Sequence, residues 1–285
     1  MREADANTNT KVLTLPDLGE DARLVAEAAY EAGQVALGFF GANPKTWAKA
    51  GDSPVTEADI AVDTLLKQRL TTNRPGYGWL SEETADTPDR IALSRLFVVD
   101  PIDGTRAFIN GDPRWTVSVA VVEGTRPIAA ALYQPVTGDL LVAAAGRGAW
   151  RGSERLAVSD RRDMAGATLS APRKFNALEH AIDGCHITLA SPVPSLALRI
   201  AHVATGFADA AFAFSRSHDW DLAAADLIVA EAGGRLADID GETLVYNRVV
   251  PRHPALIAAG PGVFDACRSL FGAVLAKHAE KRIGA

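Results

Sequence analysis

The feature that most constrains the fold is an apolar run, Leu96-Phe-Val-Val99, that leads directly into Asp100-Pro-Ile-Asp-Gly-Thr105. Four consecutive apolar residues indicate a strand buried on both faces, so the chain must supply a covering layer on each side. Pro101 has no N–H and a fixed φ, so we expect the strand to end there. The end of this strand then holds two carboxylates, those of Asp100 and Asp103, in one small volume.

The spacing of the apolar residues predicts the other elements. Helices are predicted at 18–40 and 56–72, and strands at 77–80, 115–122, 127–133 and 139–145. Beyond residue 150 the two types alternate, with strands at 187–190, 208–214 and 256–259 and helices at 194–204, 220–232 and 262–277. This order, helices and then an antiparallel sheet and then an alternating half, favours a layered mixed α/β (α+β) architecture.

The composition excludes several classes of protein. The formal net charge is −6, and the chain has no Lys/Arg run of the kind that binds nucleic acid. No apolar stretch reaches the length of a membrane span, and residues 1–16 lack the apolar core of a signal peptide. Two cysteines, Cys185 and Cys267, do not make a disulfide framework and are expected to be buried packing residues. We therefore expect a cytoplasmic protein with a loose N-terminal tail over residues 1–16, without a membrane or nucleic-acid partner.

The loop after the apolar strand has the composition of a divalent-cation site. Asp100 and Asp103 are like charges held close together, which raises the pKa of one of them unless a cation lies between them. Oxygen ligands of this kind suit Mg²⁺ or Mn²⁺. Either the Asp-Pro or the Asp-Gly dipeptide alone would indicate an ordinary turn, with Asp103 as a helix cap. The hexapeptide as a whole favours the metal site.

Three more acidic residues have structural alternatives. Glu82 and Glu83 follow the strand at 77–80, and they lie either in a solvated loop or in the same site as the two aspartates. Asp59 comes three residues after Thr56, and a variant capping box is the favoured interpretation of that spacing. The residues alone therefore do not assign Asp59 to catalysis.

A last acidic pair, Asp219 and Asp221, lies at the start of the helix predicted at 220–232. One of the two is enough to cap that helix, which leaves the other free as a metal ligand. The six histidines form no pair at zinc spacing, and the chain has neither a P-loop nor a Gly-x-Ser-x-Gly elbow. Zinc hydrolysis, P-loop chemistry and a serine nucleophile are thereby disfavoured.

Taken together, these residues resemble the inositol monophosphatase superfamily, in its inositol monophosphatase and 3′(2′),5′-bisphosphate nucleotidase branch. The matching pieces are Val55-Thr-Glu-Ala-Asp59, Ser81-Glu-Glu83, Asp100–Thr105, and Trp220-Asp221 followed after eleven residues by Gly233-Gly234. The resemblance implies an αβαβα sandwich of alternating helix and sheet layers, usually a homodimer. It also implies an N-terminal half, residues 17–150, with the metal-binding loops, and a C-terminal half, residues 151–285, that contributes Asp221 and the substrate contacts.

The resemblance implies a role for each residue as well. Metal binding is assigned to Glu82, Asp100, Asp103, Asp221 and the backbone carbonyl of Ile102. Asp59, Glu82 and Thr105 correspond to the catalytic groups that act on the attacking water, and Gly104 and Thr105 open a helix that would hold the phosphate. The implied reaction is hydrolysis of a phosphomonoester by water with two or three Mg²⁺ ions, Mn²⁺ being possible, and with sensitivity to lithium.

The substrate is less constrained, because the chain departs from the family pattern before Trp220. Animal-type inositol monophosphatases carry a glutamate there that contacts sugar hydroxyls, whereas Ala211-Phe-Ala-Phe-Ser-Arg216 contains no acid. We expect a small phosphorylated metabolite such as inositol 1-phosphate. A nucleotide such as 3′-phosphoadenosine 5′-phosphate is the alternative, since aromatic residues with Arg199 and Arg216 would suit a base and a second phosphate. Arg106 would lie near the scissile phosphate.

Three further interpretations stay open at this stage. Phe212 and Phe214 are more simply explained as inward-facing core residues of a strand. The stretch Thr105-Arg106-x-Phe108 resembles histidinol-phosphate phosphatases of the same superfamily, which generally depart from the Trp-Asp motif found here. A regulatory or scaffold protein of the same fold is the candidate from another functional class.

Overall fold

The computed structural model describes residues 14–49, 53–172 and 186–283, with side chains up to residue 276. Its helices are α1 (Glu20–Phe39), α2 (Glu57–Asn73), α3 (Thr105–Ile109), α4 (Leu196–Ala204), α5 (Asp219–Glu231) and α6 (Phe264–Ile283). A short 3₁₀ helix spans Pro88–Ala92. A small antiparallel hairpin, β1 (Thr46–Ala48) and β2 (Pro54–Thr56), leads directly into α2.

The first sheet has seven strands that lie side by side in chain order. They are β3 (Gly78–Ser81), β4 (Arg95–Asp103), β5 (Thr116–Glu123), β6 (Arg126–Gln134), β7 (Asp139–Ala144), β8 (Gly148–Arg151) and β9 (Glu154–Arg155). β3 is parallel to β4, and the other neighbours are antiparallel. The chain leaves this sheet after Arg155, and the division near residue 150 into two halves stays a prediction.

The second sheet has five strands in the order β11-β10-β12-β14-β13. They are β10 (Thr168–Ser170), β11 (Thr188–Leu189), β12 (Ala210–Ala213), β13 (Arg235–Asp238) and β14 (Leu256–Ala259). β10 runs parallel to both of its neighbours, whereas β14 is antiparallel to β12 and β13.

Helices and sheets stack in five layers. Helices α1 and α2 cover one face of the first sheet, α4 and α5 lie between the two sheets, and α6 covers the outer face of the second sheet. Apolar side chains form three cores between these layers. One lies between the first sheet and α1 and α2, one surrounds α4 and α5 between the two sheets, and one lies between the second sheet and α6, so each of these helices buries an apolar face. The αβαβα sandwich expected from the sequence is confirmed.

The apolar run that precedes the acidic loop lies on β4, between β3 and β5 in the first sheet, and contributes to two of these cores. Leu96 and Val98 pack into the central layer, while Phe97 and Val99 pack beneath α1 and α2. All four side chains are at most 1% exposed. Full burial of one such side chain contributes roughly 1.5–3 kcal/mol to the stability of the folded protein. The strand therefore anchors the loop at its end.

The prediction that Pro101 ends this strand is wrong, because β4 continues to Asp103. The pairing with β5 passes from Asp100 opposite Ser118 to Asp103 opposite Thr116, so β4 has one extra residue there. Such a bulge leaves a residue outside the hydrogen-bond ladder, which accommodates a proline that has no N–H to donate. The bulge also turns the two aspartates toward the same side of the sheet end.

The other predicted elements occur within a few residues of their predicted bounds. Sequence reasoning missed six short strands, which are β1, β2, β8, β9, β10 and β13. None of them is longer than four residues, and unlike β14, which is equally short, none is a run of apolar residues only. Cys267 is buried as predicted, and burial raises the pKa of its thiol to about 12. Cys185 lies outside the described residues.

Candidate metal centre

Three carboxylates meet where β4 ends. Asp100 and Asp103 flank the bulge and are buried, and the half-buried Asp221 lies in the first turn of α5. One oxygen from each of the three lies within 4.8 Å of the other two. They line a cavity of about 680 Å³, together with Glu82, Gly104, Thr105, Arg106, Arg199 and Phe214 among other residues. Residues far apart in the sequence are therefore brought together as the acidic motifs suggested.

Burial and mutual repulsion both act against the charged forms of these carboxyl groups. Burial raises the pKa of Asp100 well above its usual value, and the charges of Glu82, Asp103 and Asp221 raise it further. The pKa of Asp221 is raised well above its usual value in the same way, first by burial and then by Asp103. Negative charge is thus concentrated here without enough positive charge to balance it, and this donor set fits a divalent cation.

Asp103 also caps a helix, but the helix is α4 and not the adjacent α3. Its Oδ2 accepts hydrogen bonds from Ser195 Oγ at 2.5 Å and from the backbone N–H of Ala197 at 2.7 Å, and its Oδ1 accepts one from the N–H of Leu196 at 3.2 Å. Burial raises the pKa of Asp103 to about 6, while these hydrogen bonds act in the opposite direction. The cap and the proposed metal ligand are therefore the same carboxylate.

The two acids at the start of α5, Asp219 and Asp221, make different contacts. Asp221 Oδ2 accepts a hydrogen bond from the backbone N–H of His218 at 2.7 Å, so Asp221 helps to cap α5 and also lies in the acidic cluster. Asp219 is fully buried, with its oxygens 2.7 Å from His253 Nε2 and 2.8 Å from the N–H of Asn247. Asp219, the acid that is free of the cap, is thus occupied by contacts with His253 and Asn247 and lies outside the acidic cluster.

Asp59 forms the cap that its spacing from Thr56 predicted and also contacts Thr105. Its Oδ2 accepts hydrogen bonds from the backbone N–H of Thr56 at 2.7 Å and from Thr56 Oγ1 at 2.6 Å, which completes the capping box of α2. Its Oδ1 faces Thr105 Oγ1 at 3.3 Å, and the same hydroxyl lies 3.1 Å from the carbonyl oxygen of Ile102. Burial raises the pKa of Asp59, although the hydrogen bonds from Thr56 oppose that shift.

Glu82 and Glu83 follow the end of β3, and a lysine lies between them. Lys49 Nζ is 3.2 Å from Glu82 Oε1 and 2.5 Å from Glu83 Oε1. Burial would lower the pKa of Lys49, but the two glutamates raise it above its usual value. Burial raises the pKa of Glu83 to about 7 against the opposing effect of Lys49. The positively charged side chain of Lys49 therefore lies beside Glu82, which lines the cavity.

The three arginines predicted as substrate contacts lie in different places. Arg199 is 7% exposed on α4, lines the cavity, and has a buried Nε without a hydrogen-bond partner among the described residues. Burial lowers the pKa of Arg199 to about 10, while Asp103 acts in the opposite direction. Arg106 is exposed and also lines the cavity. Arg216 is exposed on a turn after β12 at φ 99°, and it is not among the residues that line the cavity.

The two aromatic residues Phe212, on β12, and Phe214, just after it, also lie in different environments. Phe212 is a core residue, as the simpler interpretation predicted, with its ring centroid 4.8 Å from that of Phe271. Phe214 is half-buried and forms part of the cavity wall. Of these two rings, only that of Phe214 lines the cavity.

Sequence reasoning missed three residues that support the site. Ser195, the N-cap of α4, hydrogen-bonds Asp103 and also lies 3.2 Å from Thr116 Oγ1. A serine directly before an apolar helical run is a recognised start signal, and it could have moved the predicted start of this helix from residue 194 to Leu196 and identified Ser195 as the cap. Lys49 and Asp63 had no comparable local signal, because their partners Glu82, Glu83 and Ser81 are distant in sequence.

The layered fold and the buried acidic cluster define a recognisable class of protein, and a solved structure shares this fold. The chain superposes on the extragenic suppressor protein SuhB of Bartonella henselae with a TM-score of 0.77 at 26% identity, covering 87% of this chain and 96% of that one. Residues 17–280 match the model of the inositol monophosphatase family. The chain belongs to the inositol monophosphatase family, which confirms the resemblance and the expected class, a phosphatase of phosphomonoesters.

Two relatives show the breadth of activity among similar proteins. A histidinol-phosphatase of Chlorobaculum parvum is 33% identical over 260 residues, which is 86% of this chain and 98% of that protein. The 3′(2′),5′-bisphosphate nucleotidase CysQ of Aggregatibacter actinomycetemcomitans is 29% identical over 237 residues, 79% of this chain and 86% of that protein. Within the described part of the chain, no helix has both the length and the apolar character that crossing a bilayer requires.

Proposed function

We propose that this protein is a Mg²⁺-dependent phosphomonoesterase that hydrolyses a small phosphorylated metabolite such as inositol 1-phosphate. The observation that carries the proposal is the set of carboxylate oxygens of Asp100, Asp103 and Asp221 within 4.8 Å of one another. These oxygens line a cavity large enough for a small metabolite, and Thr105, the hydrogen-bond partner of Asp59, lines the same cavity. Membership of a phosphatase family supports the same reaction.

The proposed metal ligands are those that the family resemblance implied. They are Glu82, Asp100, Asp103, Asp221 and the carbonyl oxygen of Ile102, which would hold two or three Mg²⁺ ions, with Mn²⁺ as a possible substitute. When bound, divalent cations supply positive charge for the phosphate and its leaving oxygen and acidify a water molecule. Lys49 would remain beside Glu82 and offset part of the negative charge of the acidic cluster.

The attacking water would be oriented by Thr105 and Asp59. The Thr105 hydroxyl has two acceptors within reach, the Ile102 carbonyl at 3.1 Å and Asp59 Oδ1 at 3.3 Å, and it can donate to only one at a time. If the Ile102 carbonyl serves as a ligand, the hydroxyl donates to Asp59. The lone pairs of Thr105 Oγ1 would then accept a hydrogen bond from the water. As the water attacks, its proton would pass to Thr105 Oγ1 while the Thr105 hydroxyl proton passes to Asp59 Oδ1, and Glu82, which lines the same cavity, would help to orient the water.

The rest of the cavity would bind the substrate. Gly104, Thr105 and Arg106 line the part that adjoins the acidic cluster, so we assign the scissile phosphate to them. Arg199 favours a second candidate, a 3′(2′),5′-bisphosphate nucleotidase, because a buried guanidinium with an unpartnered Nε suits a second anionic group. Phe214 offers one ring for stacking. Arg216 would take part only if its turn moved toward the cavity.

Phosphate release tests this proposal. The purified protein is assayed with Mg²⁺ against inositol 1-phosphate, 3′-phosphoadenosine 5′-phosphate, fructose 1,6-bisphosphate and histidinol phosphate. We expect Mg²⁺-dependent release from at least one of them, inhibited by LiCl. Release from none above an EDTA blank would contradict the proposal, and a strong preference for the bisphosphate would select the second candidate.

Two lesser parts of the proposal concern the state of the protein in the cell. We propose a homodimer, which light scattering after size-exclusion chromatography tests. We also propose a cytoplasmic location, and fractionation of cells that express the protein tests it.

A further inference from the structure

A second buried carboxylate lies on α2 one helical turn beyond Asp59, and none of the roles above involves it. Asp63 is 6% exposed. Residues four apart lie on the same face of a helix, so Asp59 and Asp63 both face the first sheet. Asp59 reaches Thr105, whereas Asp63 reaches the turn that follows β3.

Asp63 holds both ends of that turn. Its Oδ1 accepts a hydrogen bond from Ser81 Oγ at 2.5 Å, and its Oδ2 accepts one from Thr84 Oγ1 at 2.5 Å. Glu82 and Glu83 are the two residues between these hydroxyls. The backbone between them is held as well, since the N–H of Glu83 lies 3.3 Å from Ser81 Oγ. One carboxylate thus fixes the segment that presents both glutamates.

From this geometry we infer that Asp63 is a positioning residue that holds Glu82 in place for metal binding. The inference rests on the proposed function, in which Glu82 is a metal ligand. The N–H of Glu82 lies 3.3 Å from the carbonyl oxygen of Val99 on β4, so the start of the turn is also tied to the strand that carries Asp100. With both ends of the turn fixed, the distance from Glu82 to the acidic cluster depends on the Glu82 side chain alone.

The contact requires a carboxylate and not merely a polar group. A carboxylate accepts a hydrogen bond at each of its two oxygens, and hydroxyl-to-carboxylate bonds are among the stronger ones. An amide of the same shape has one oxygen and one NH₂ group, so it can accept from one of the two hydroxyls only. The amide NH₂ can only donate to the other hydroxyl, a neutral contact weaker than the charge-assisted bond that it replaces. Asp63→Asn should therefore weaken the hold on one end of the turn with little change in volume.

Direct metal binding separates positioning from a purely structural role. Mn²⁺ affinity is measured by calorimetry on the full chain for wild type, Asp63→Asn and the control Asp226→Asn. Asp226 is also a buried acid with a single hydroxyl partner, Tyr246 OH at 2.9 Å, but it lies on α5 away from this turn. Loss of a group that orients a ligand typically costs about tenfold or more in metal affinity. We expect that loss for Asp63→Asn and a change of less than about twofold for Asp226→Asn.

A second variant keeps the test decisive if Asp63→Asn does not fold. Thr84→Val removes one hydroxyl, retains the shape of the side chain and leaves the carboxylate in place, so it should weaken Mn²⁺ binding by a smaller factor. Wild-type Mn²⁺ affinity in the folded Asp63→Asn variant, or in Thr84→Val if only that one folds, would overturn the inference. Failure of the proposed function would show differently, as wild-type protein that binds Mn²⁺ but releases no phosphate.

Discussion

Replacing Asp100 by asparagine should stabilise the metal-free protein while it removes a proposed ligand. Asp100 is 1% exposed, and three other acids raise the pKa of its carboxyl in addition to burial. The one hydrogen bond that it accepts, from the N–H of Ile102 at 3.1 Å, can be accepted equally well by the asparagine oxygen. The substitution therefore removes repulsion and leaves the local shape and hydrogen bond intact.

The size of the gain follows from the spacing of the oxygens. Two unit charges 4.8 Å apart repel by about 3 kcal/mol at an effective dielectric constant of ~20. The wild-type cluster escapes part of this cost by retaining a proton, so we expect a net gain of about 1–3 kcal/mol in the free energy of unfolding. For a chain of this size, 1 kcal/mol raises the melting temperature by about 2 °C.

The sign of the pH dependence is fixed by the direction of the pKa shifts. The folded-state pKa values of Asp100, Asp103 and Asp221 lie above their ordinary values, so the folded protein retains protons that the unfolded chain has lost. Stability of the metal-free wild type then falls as the pH rises from the ordinary carboxyl range through the raised folded-state pKa values. Asp100→Asn should weaken that dependence, and its advantage should be greater at about pH 8 than at about pH 5.

Thermal unfolding in EDTA measures both effects. Wild type and Asp100→Asn are compared at the two pH values, with Asp139→Asn as the control, since Asp139 is an exposed acid on β7. The control should change stability by less than about 0.5 kcal/mol. An Asp100→Asn variant that melts at or below the wild-type temperature at the higher pH would refute the claim that unbalanced negative charge dominates this site.

Three further substitutions test separate contacts. Thr105→Val removes the hydroxyl beside Asp59, so kcat should fall at least ~10²-fold with little change in melting temperature; kcat within a factor of a few of wild type would contradict the role of Thr105. Ser195→Ala removes the side-chain cap of α4 and one hydrogen bond to Asp103, and should lower the melting temperature by about 2 °C, a cost of about 1 kcal/mol; an unchanged melting temperature would show that the cap contributes nothing. Arg199→Met should raise KM by roughly tenfold for a substrate with a second anionic group but not for inositol 1-phosphate; equal effects on both would remove Arg199 from substrate recognition.

The parts of the molecule that could be predicted from sequence are those encoded locally. The four consecutive apolar side chains from Leu96 to Val99 are enough to predict a buried strand. The helix-capping signal at Thr56 likewise lies within one helical turn of its partner Asp59. Local composition also identified the acids that meet at the end of β4. That they meet there depends on the layer order, which the family resemblance implied and which the order of the elements alone did not specify.

The parts that could not be predicted depend on contacts between distant segments. Asp103 caps a helix that begins at Leu196, and Lys49 pairs with two glutamates more than thirty residues away. The continuation of β4 past Pro101 required a bulge, whose existence depends on the register with β5. Arg216 lies on a turn with positive φ, and nothing near it in sequence showed that the turn lies outside the cavity wall.

The most direct test of the central claim, a metal-dependent phosphatase centred on three carboxylates, is phosphate release by wild type and Asp221→Asn across a Mg²⁺ titration. Asp221 lies far from Asp100 and Asp103 in the sequence. Its loss therefore tests whether phosphate release requires all three carboxylates together. We expect Mg²⁺-dependent phosphate release by wild type and none by Asp221→Asn that still folds. Near-normal release by folded Asp221→Asn, or wild-type release that EDTA leaves unchanged, would contradict it.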